Sequence, residues 1–159
     1  MKYFLDTEFA EGGRGKPITL ISIGIVSSTG KTFYAISSEF NPDDCNDWVT
    51  EHVLAKLDGR RQTVDEIATD IRNFIGDDTN PQFWGYYADY DWVVFCQIFG
   101  RMIDLPKGWP MFCNDIKQLA MERGNPKIQK QDEESEHNAL NDARWNKTAY
   151  EFLMATRII

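Results

Sequence analysis

The sequence predicts a mixed α/β fold. It expects a five-stranded sheet, three antiparallel strands followed by parallel ones, with helices on both faces. Three observations carry this. Strand-forming runs open the chain in quick succession, around Phe4-Leu5, over 18–27 and over 31–40. Segments of helical period then alternate with short apolar runs at Gln82–Tyr87 and Met111–Cys113. The resulting order, βββ-α-α-β-α-β-α-α, places an antiparallel meander at one edge of the sheet. The 159 residues, 42% of them apolar, suit one domain over 1–159 with one sizeable core.

The first strand ends on Phe4-Leu5-Asp6-Thr7-Glu8-Phe9 before the Gly-rich turn of residues 11–17. Side chains alternate along a strand, so Asp6 and Glu8 share a face. Adjacent carboxylates repel and resist desolvation. A shared hard cation such as Mg²⁺, which prefers oxygen ligands, relieves both penalties. Arg14 and Lys16 read as solvated turn charges. Thr29-Gly30 turns the second strand into the third.

Helical patterning begins after Asn41. Asp47 is expected to cap a helix over 48–57. Thr63 and Glu66 form a capping box. Val64, Ile67, Ala68, Ile71, Phe74 and Ile75 then fall on one face. Asp89 is placed to cap a helix whose buried stripe runs Asp91, Val94, Phe95, Ile98 and Met102. Asn114 or Asp115 caps the next, which Gly124 stops. Residues 125–136 are polar and read as a mobile loop. A last helix covers about 138–155, with Trp145, Ala149 and Phe152 continuing a stripe from Asp142.

A carboxylate heading a buried stripe is unusual, and it occurs at both Asp91 and Asp142. With Asp6 and Glu8 these make four convergent carboxylates, unfavourable together without cations. Two divalent metal ions would neutralise them and support in-line phosphoryl displacement. His137 and Asp142 stand five apart, about 140° on a helix. His137 is therefore expected at the loop–helix junction, free to swing, as a group that takes a proton near neutral pH. His52 reads as structural.

Asp6-Thr7-Glu8, then Tyr90-Asp91 before a helix, then His137 and Asp142, resembles the three motifs of the DEDDh exonucleases, the DnaQ-like group with an RNase H-like fold. The order and separations match across almost the whole chain. The opening Asp6-Thr7-Glu8-Phe9 and the segment Tyr86-Tyr87-Ala88-Asp89-Tyr90-Asp91-Trp92 are most similar to a small bacterial and phage branch of 3′–5′ exoribonucleases, which includes RNase T and oligoribonuclease. The resemblance implies metal ligands at Asp6, Glu8, Asp91 and Asp142, a general base at His137, and two Mg²⁺ ions, with Mn²⁺ as a substitute. It implies hydrolysis from the 3′ end of single-stranded nucleic acid, RNA before DNA, releasing nucleoside 5′-monophosphates. Phe9 matches a position that touches the terminal nucleotide in relatives, and relatives are often homodimers. The sequence departs from the pattern at Tyr87, where the family often has Asn. Asp89 competes with Asp91 as third ligand; the aromatic–Asp pairing and the helix stripe favour Asp91. Asn138 stands where the tyrosine subgroup carries Tyr, which indicates the histidine form.

Of five tryptophans, four read as core, and Trp48 joins Phe9 as a candidate base-stacking residue. The net charge of −8 argues against a long phosphate-tracking groove and so against an endonuclease on long duplex. The alternatives are a catalytically inactive nucleic-acid or nucleotide-binding module and a small-nucleotide phosphodiesterase. Three cysteines without metal-site spacing suit a reducing compartment with buried thiols. No apolar run nears the roughly 18 residues of a membrane span. A cytoplasmic location without membrane partners is expected.

Overall fold

The computed structural model describes residues 1–156. Strands β1 (Lys2–Glu11), β2 (Ile18–Ser27) and β3 (Thr32–Ser37) form the antiparallel meander. Gly30, at φ 90°, turns β2 into β3, and its N–H donates to the Ser27 carbonyl at 2.9 Å. Strands β4 (Arg61–Gln62), β5 (Gln82–Gly85) and β6 (Asn114–Asp115) add parallel to their neighbours. The sheet order is β4-β3-β2-β1-β5-β6, which gives six strands rather than five. The additional strand, β4, is two residues long, too short to leave a period in the sequence. β6 follows the expected Met111–Cys113 run instead of coinciding with it. Met111 and Phe112 are exposed, and pairing starts at Asn114.

The α-helices among the described residues are α1 (Asp47–His52), α2 (Val64–Ile75), α3 (Asp89–Phe99), α4 (Ile116–Glu122) and α5 (Ala139–Ala155). α2 and α3 bury Ile67, Ile71, Val94, Phe95 and Ile98 against Tyr3, Leu5, Ile23 and Ile25. α4 and α5 pack Ile116, Ala120, Ala149 and Leu153 on the opposite face, around Phe4. Alternation along β1 thus feeds both cores, with each fully buried large side chain worth roughly 1.5–3 kcal/mol.

Local chemistry sets the helix ends. The Thr63–Glu66 capping box opens α2. Asp115 caps α4 through the Gln118 N–H, and Asn138 caps α5 through the Asn141 N–H. Asn46, not Asp47, caps α1, which gives way to a 3₁₀ turn at Leu54–Lys56. Asp89 does not cap α3. The cap position is Ala88, which has no capping side chain; its own N–H donates to Asp115 Oδ2 of β6 at 2.8 Å. On α5 the buried stripe is Ala139, Ala143, Asn146, Ala149 and Leu153, while Phe152 is exposed. Small residues let this helix lie close to the sheet, which rotates the stripe away from the bulkier positions.

No helix among the described residues is long and apolar enough to cross a membrane. The cysteines are unpaired; Cys96 is buried and the other two are half-buried.

Candidate active site

β1 does not end at the acidic pair. It continues to Glu11, but it pairs with β5 only over Lys2–Phe4. Beyond Phe4 the two strands part, and the backbone groups on that side of β1 need other partners. Asn146 Nδ2 donates to the Leu5 carbonyl at 2.9 Å. The Thr7 N–H donates to Asp91 Oδ1 at 2.8 Å, and the Thr7 hydroxyl donates to the same oxygen at 2.6 Å. α5 and α3 thereby complete the strand edge that β5 leaves open, and both helices bring a carboxylate to it.

Gly24 of β2 pairs with Asp6, and Ser22 pairs with Glu8. A Cβ at Gly24 would lie 2.3 Å from the Ala139 carbonyl oxygen and 2.4 Å from Leu140 Cα. Only a residue without a side chain lets the first turn of α5 settle on the sheet there. That contact sets Asp142 over the face that carries Asp6 and Glu8, with Asn146 one turn further along.

Burial and mutual repulsion act together on the four carboxylates. Burial raises the Asp6 pKa well above its ordinary value, and Asp91, Asp142 and Glu8 raise it further. Glu8 is pushed up to about 8 by burial and then by Asp142 and Asp91, with the Lys56 ammonium partly opposing. Asp91 is only 7% exposed, and burial raises its carboxyl to about 6 although the two Thr7 donors favour the ionised form. Burial raises Asp142 as well, against the donors Gln131 and His137. Asp89 is exposed, two residues from this cluster.

His137 has φ 63°, left-handed backbone that non-glycine residues seldom adopt. Its N–H donates to Asp142 Oδ2 at 3.0 Å, and Gln131 Nε2 donates to Asp142 Oδ1 at 2.6 Å. The main chain at this junction is thereby tied to the Asp142 carboxylate. One ring nitrogen of His137 and one carboxylate oxygen each of Glu8 and Asp142 lie within 4.8 Å of one another. Asp6 on β1 and Asp91 on α3 lie outside that group but near enough to Asp142 for its charge to raise their pKa values.

The carboxylates stand between two clefts. A smaller one of about 270 Å³ is lined by Glu8, Phe9, Trp48 and His137. Phe9 stacks on Tyr90 with centroids 5.7 Å apart. Trp48, 49% exposed, stacks on His52 at 4.7 Å and meets the His137 ring edge-on at 4.7 Å. A larger cleft of about 690 Å³ is lined by Asp6, Tyr86, Lys127, Lys130, His137 and Trp145, among others. Asp6, Asp142 and His137 line the larger cleft, Glu8, Phe9, Trp48 and His137 line the smaller one, and Asp91 lines neither, being buried behind Thr7.

Four carboxylates and one imidazole form a mostly oxygen donor set, the kind that hard divalent cations bind. The raised carboxyl pKa values fit such a group, because a bound cation would favour the ionised forms that burial and mutual repulsion disfavour. Asp142 keeps acceptor capacity beyond its two protein donors, since a carboxylate offers about four lone-pair sites. Sequence reasoning missed Thr7, Gln131, Asn146 and Lys56. A signal existed for Asn146 alone, which lies four residues after Asp142 on the same helical face.

Residues 1–154 match the sequence family described as the 3′–5′ exoribonuclease Rv2179c-like domain. The 3′–5′ exoribonuclease Rv2179c of Mycobacterium tuberculosis (strain ATCC 25618 / H37Rv) is 36% identical over 162 aligned residues, which span 98% of this chain and 95% of that protein. The 3′–5′ exoribonuclease MT2234.1 of Mycobacterium tuberculosis (strain CDC 1551 / Oshkosh) matches with the same identity and coverage.

Proposed function

The chain belongs to the Rv2179c-like 3′–5′ exoribonuclease family, and on that footing we propose that it is a metal-dependent 3′–5′ exoribonuclease of the DEDDh, RNase H-like type. Its substrate is the 3′ end of single-stranded RNA, and its products are nucleoside 5′-monophosphates. One domain over 1–159 performs the reaction. The observation that carries this reading is that Glu8 and Asp142, from separate elements, bring carboxylate oxygens within 4.8 Å of one another and of a His137 ring nitrogen, with Asp6 and Asp91 near enough for the carboxylates to raise one another's pKa.

In this reading Asp6, Glu8, Asp91 and Asp142 hold two Mg²⁺ ions, with Mn²⁺ as a substitute. Bound there, the ions supply neutralisation of the carboxylates and of the charge that develops on the transferring phosphoryl group. His137 takes a proton from the attacking water as the water oxygen bonds to the last phosphorus. The bond from that phosphorus to the 3′-oxygen of the preceding nucleotide breaks, and the terminal nucleotide leaves with a 5′-phosphate. Phe9 and Trp48, lining the cleft beside Glu8, hold the terminal base by contact with its π-face. Thr7 fixes the Asp91 carboxylate, and Asn146 fixes the strand that carries Asp6. The setting in this reading is cytoplasmic, as the sparse cysteines without metal-site spacing suggest, and the working unit is a homodimer, as the family resemblance implies.

The test is cleavage of 5′-labelled single-stranded RNA and of its DNA counterpart, with Mg²⁺, with Mn²⁺ and with EDTA. A metal-dependent ladder that shortens from the 3′ end, faster on RNA, is expected. Internal fragments, or cleavage that survives EDTA, would overturn the reading. Metal binding without cleavage of either strand would favour a binding module or a small-nucleotide hydrolase.

A further inference from the structure

The short segment of α1 and the following 3₁₀ turn touches the His137 region in two places. Trp48 meets the His137 ring at 4.7 Å. At the other end, Lys56 Nζ donates to the Glu136 carbonyl at 2.6 Å and to the Glu134 carbonyl at 3.3 Å. These carbonyls lie one and three residues before His137, in a stretch without helix or strand. The chain has 25 acidic residues, yet this ammonium binds two main-chain oxygens about half the chain away. Ordering a lysine side chain costs rotamer entropy, but Lys56 is half-buried, and a charged donor bonds a carbonyl more strongly than a neutral one does. The segment that carries Lys56 is itself anchored, since Val53 is buried with Ala10, Ile21, Ile36 and Phe40.

We infer that Lys56 is a positioning residue: its ammonium latches the Glu134–Glu136 main chain to the α1 segment and thereby presents His137 to Glu8 and Asp142. His137 then has three holds. Its own N–H rests on Asp142, its preceding carbonyl rests on Lys56, and its ring rests on Trp48. Lys56 also lies near enough to Glu8 for its charge to be felt there. The latch acts through His137 and touches no reacting atom. It rests on the exoribonuclease reading only for its effect on rate; its effect on the His137 loop is independent of that reading.

The test compares wild type, Lys56→Met and Lys56→Arg. Met keeps the apolar stem and removes the donor and charge, while Arg keeps both. On single-stranded RNA with Mg²⁺, Lys56→Met should lower kcat by about tenfold to a hundredfold and leave KM within about twofold. Lys56→Arg should recover most of the loss. In the metal-free protein the His137 ring resonance should lose its Trp48 ring-current shift in Lys56→Met, and amide exchange across residues 132–137 should accelerate. A kcat unchanged in Lys56→Met, or a raised KM with kcat retained, would overturn the latch; the second result would make Lys56 a phosphate contact. Unmoved His137 resonance and exchange would also overturn it. Wild type inactive on RNA would defeat the functional reading alone, and the resonance and exchange data would still decide the latch.

Discussion

Two halves of the candidate site are built differently. Asp6, Glu8 and Asp91 sit on β1 and at the head of α3, where ladder hydrogen bonds and the packing of α2 and α3 fix them. His137 sits at the end of an irregular stretch that is held by a few discrete contacts from Lys56, Asp142 and Trp48. The first half is rigid because its backbone belongs to the core. The second is rigid only as long as each contact survives. The candidate site thus divides into a charged wall that regular structure supplies and a histidine, the proton acceptor of the proposed reading, whose main chain single hydrogen bonds hold in place.

Breaking the wall should have the largest effect. Asp6→Ala should abolish RNA cleavage without unfolding the protein. It removes a buried carboxyl that burial and three neighbours disfavour, so the metal-free melting temperature should hold or rise. A marked fall in melting temperature would mean that Asp6 has a structural partner instead.

Next is the acceptor. His137→Ala should lower kcat by about 10²–10⁴-fold while Mn²⁺ affinity stays near wild type, as expected if the imidazole moves protons and does not ligate. Weakened Mn²⁺ binding would make His137 a ligand, a role its distance from Glu8 and Asp142 permits.

A smaller effect should come from the joint between the halves. Gly24→Ala places a methyl group into the α5 backbone, costing about 1–3 kcal/mol and several degrees of melting temperature. Activity should fall with it, because Asp142 rides on that helix turn. Unaltered stability would mean that α5 shifts freely on the sheet.

The gentlest probe is pH. Glu8, raised from 4.5 to about 8, and Asp91, raised from 3.8 to about 6, keep protons in the folded state that the unfolded chain has already released. Each contributes stability that is fully present below the ordinary carboxylate pKa and lost as pH rises through the folded value. With EDTA, the melting temperature should therefore decline between about pH 4.5 and pH 8. Millimolar Mg²⁺ should oppose that decline by binding the folded state. A metal-free stability that rises over this window would contradict the raised carboxyls.

The same division governs what the sequence reveals. The wall was legible because periodicity encodes it: Asp6 and Glu8 alternate in phase along a strand, and Asp91 leads a stripe that Val94, Phe95 and Ile98 continue. The antiparallel meander, the α2 capping box and the start of α5 follow from equally local signals. What escaped is long-range. Lys56 reads as one more surface lysine, and its carbonyl partners have no side-chain identity at all. Thr7 reads as a strand former, although its backbone N–H fixes Asp91. The turn at Tyr87, with φ 55°, follows a β5 that ends two residues early, and it leaves Ala88 rather than Asp89 at the head of α3, held by Asp115. β4 is too short to carry a period.

The most direct test of the central claim is calorimetric titration of Mn²⁺ into wild type, Asp91→Asn and His137→Ala. Wild type and His137→Ala should each bind two ions, with affinity sharply reduced in Asp91→Asn. No binding to wild type at millimolar Mn²⁺, or binding indifferent to Asp91→Asn, would contradict it.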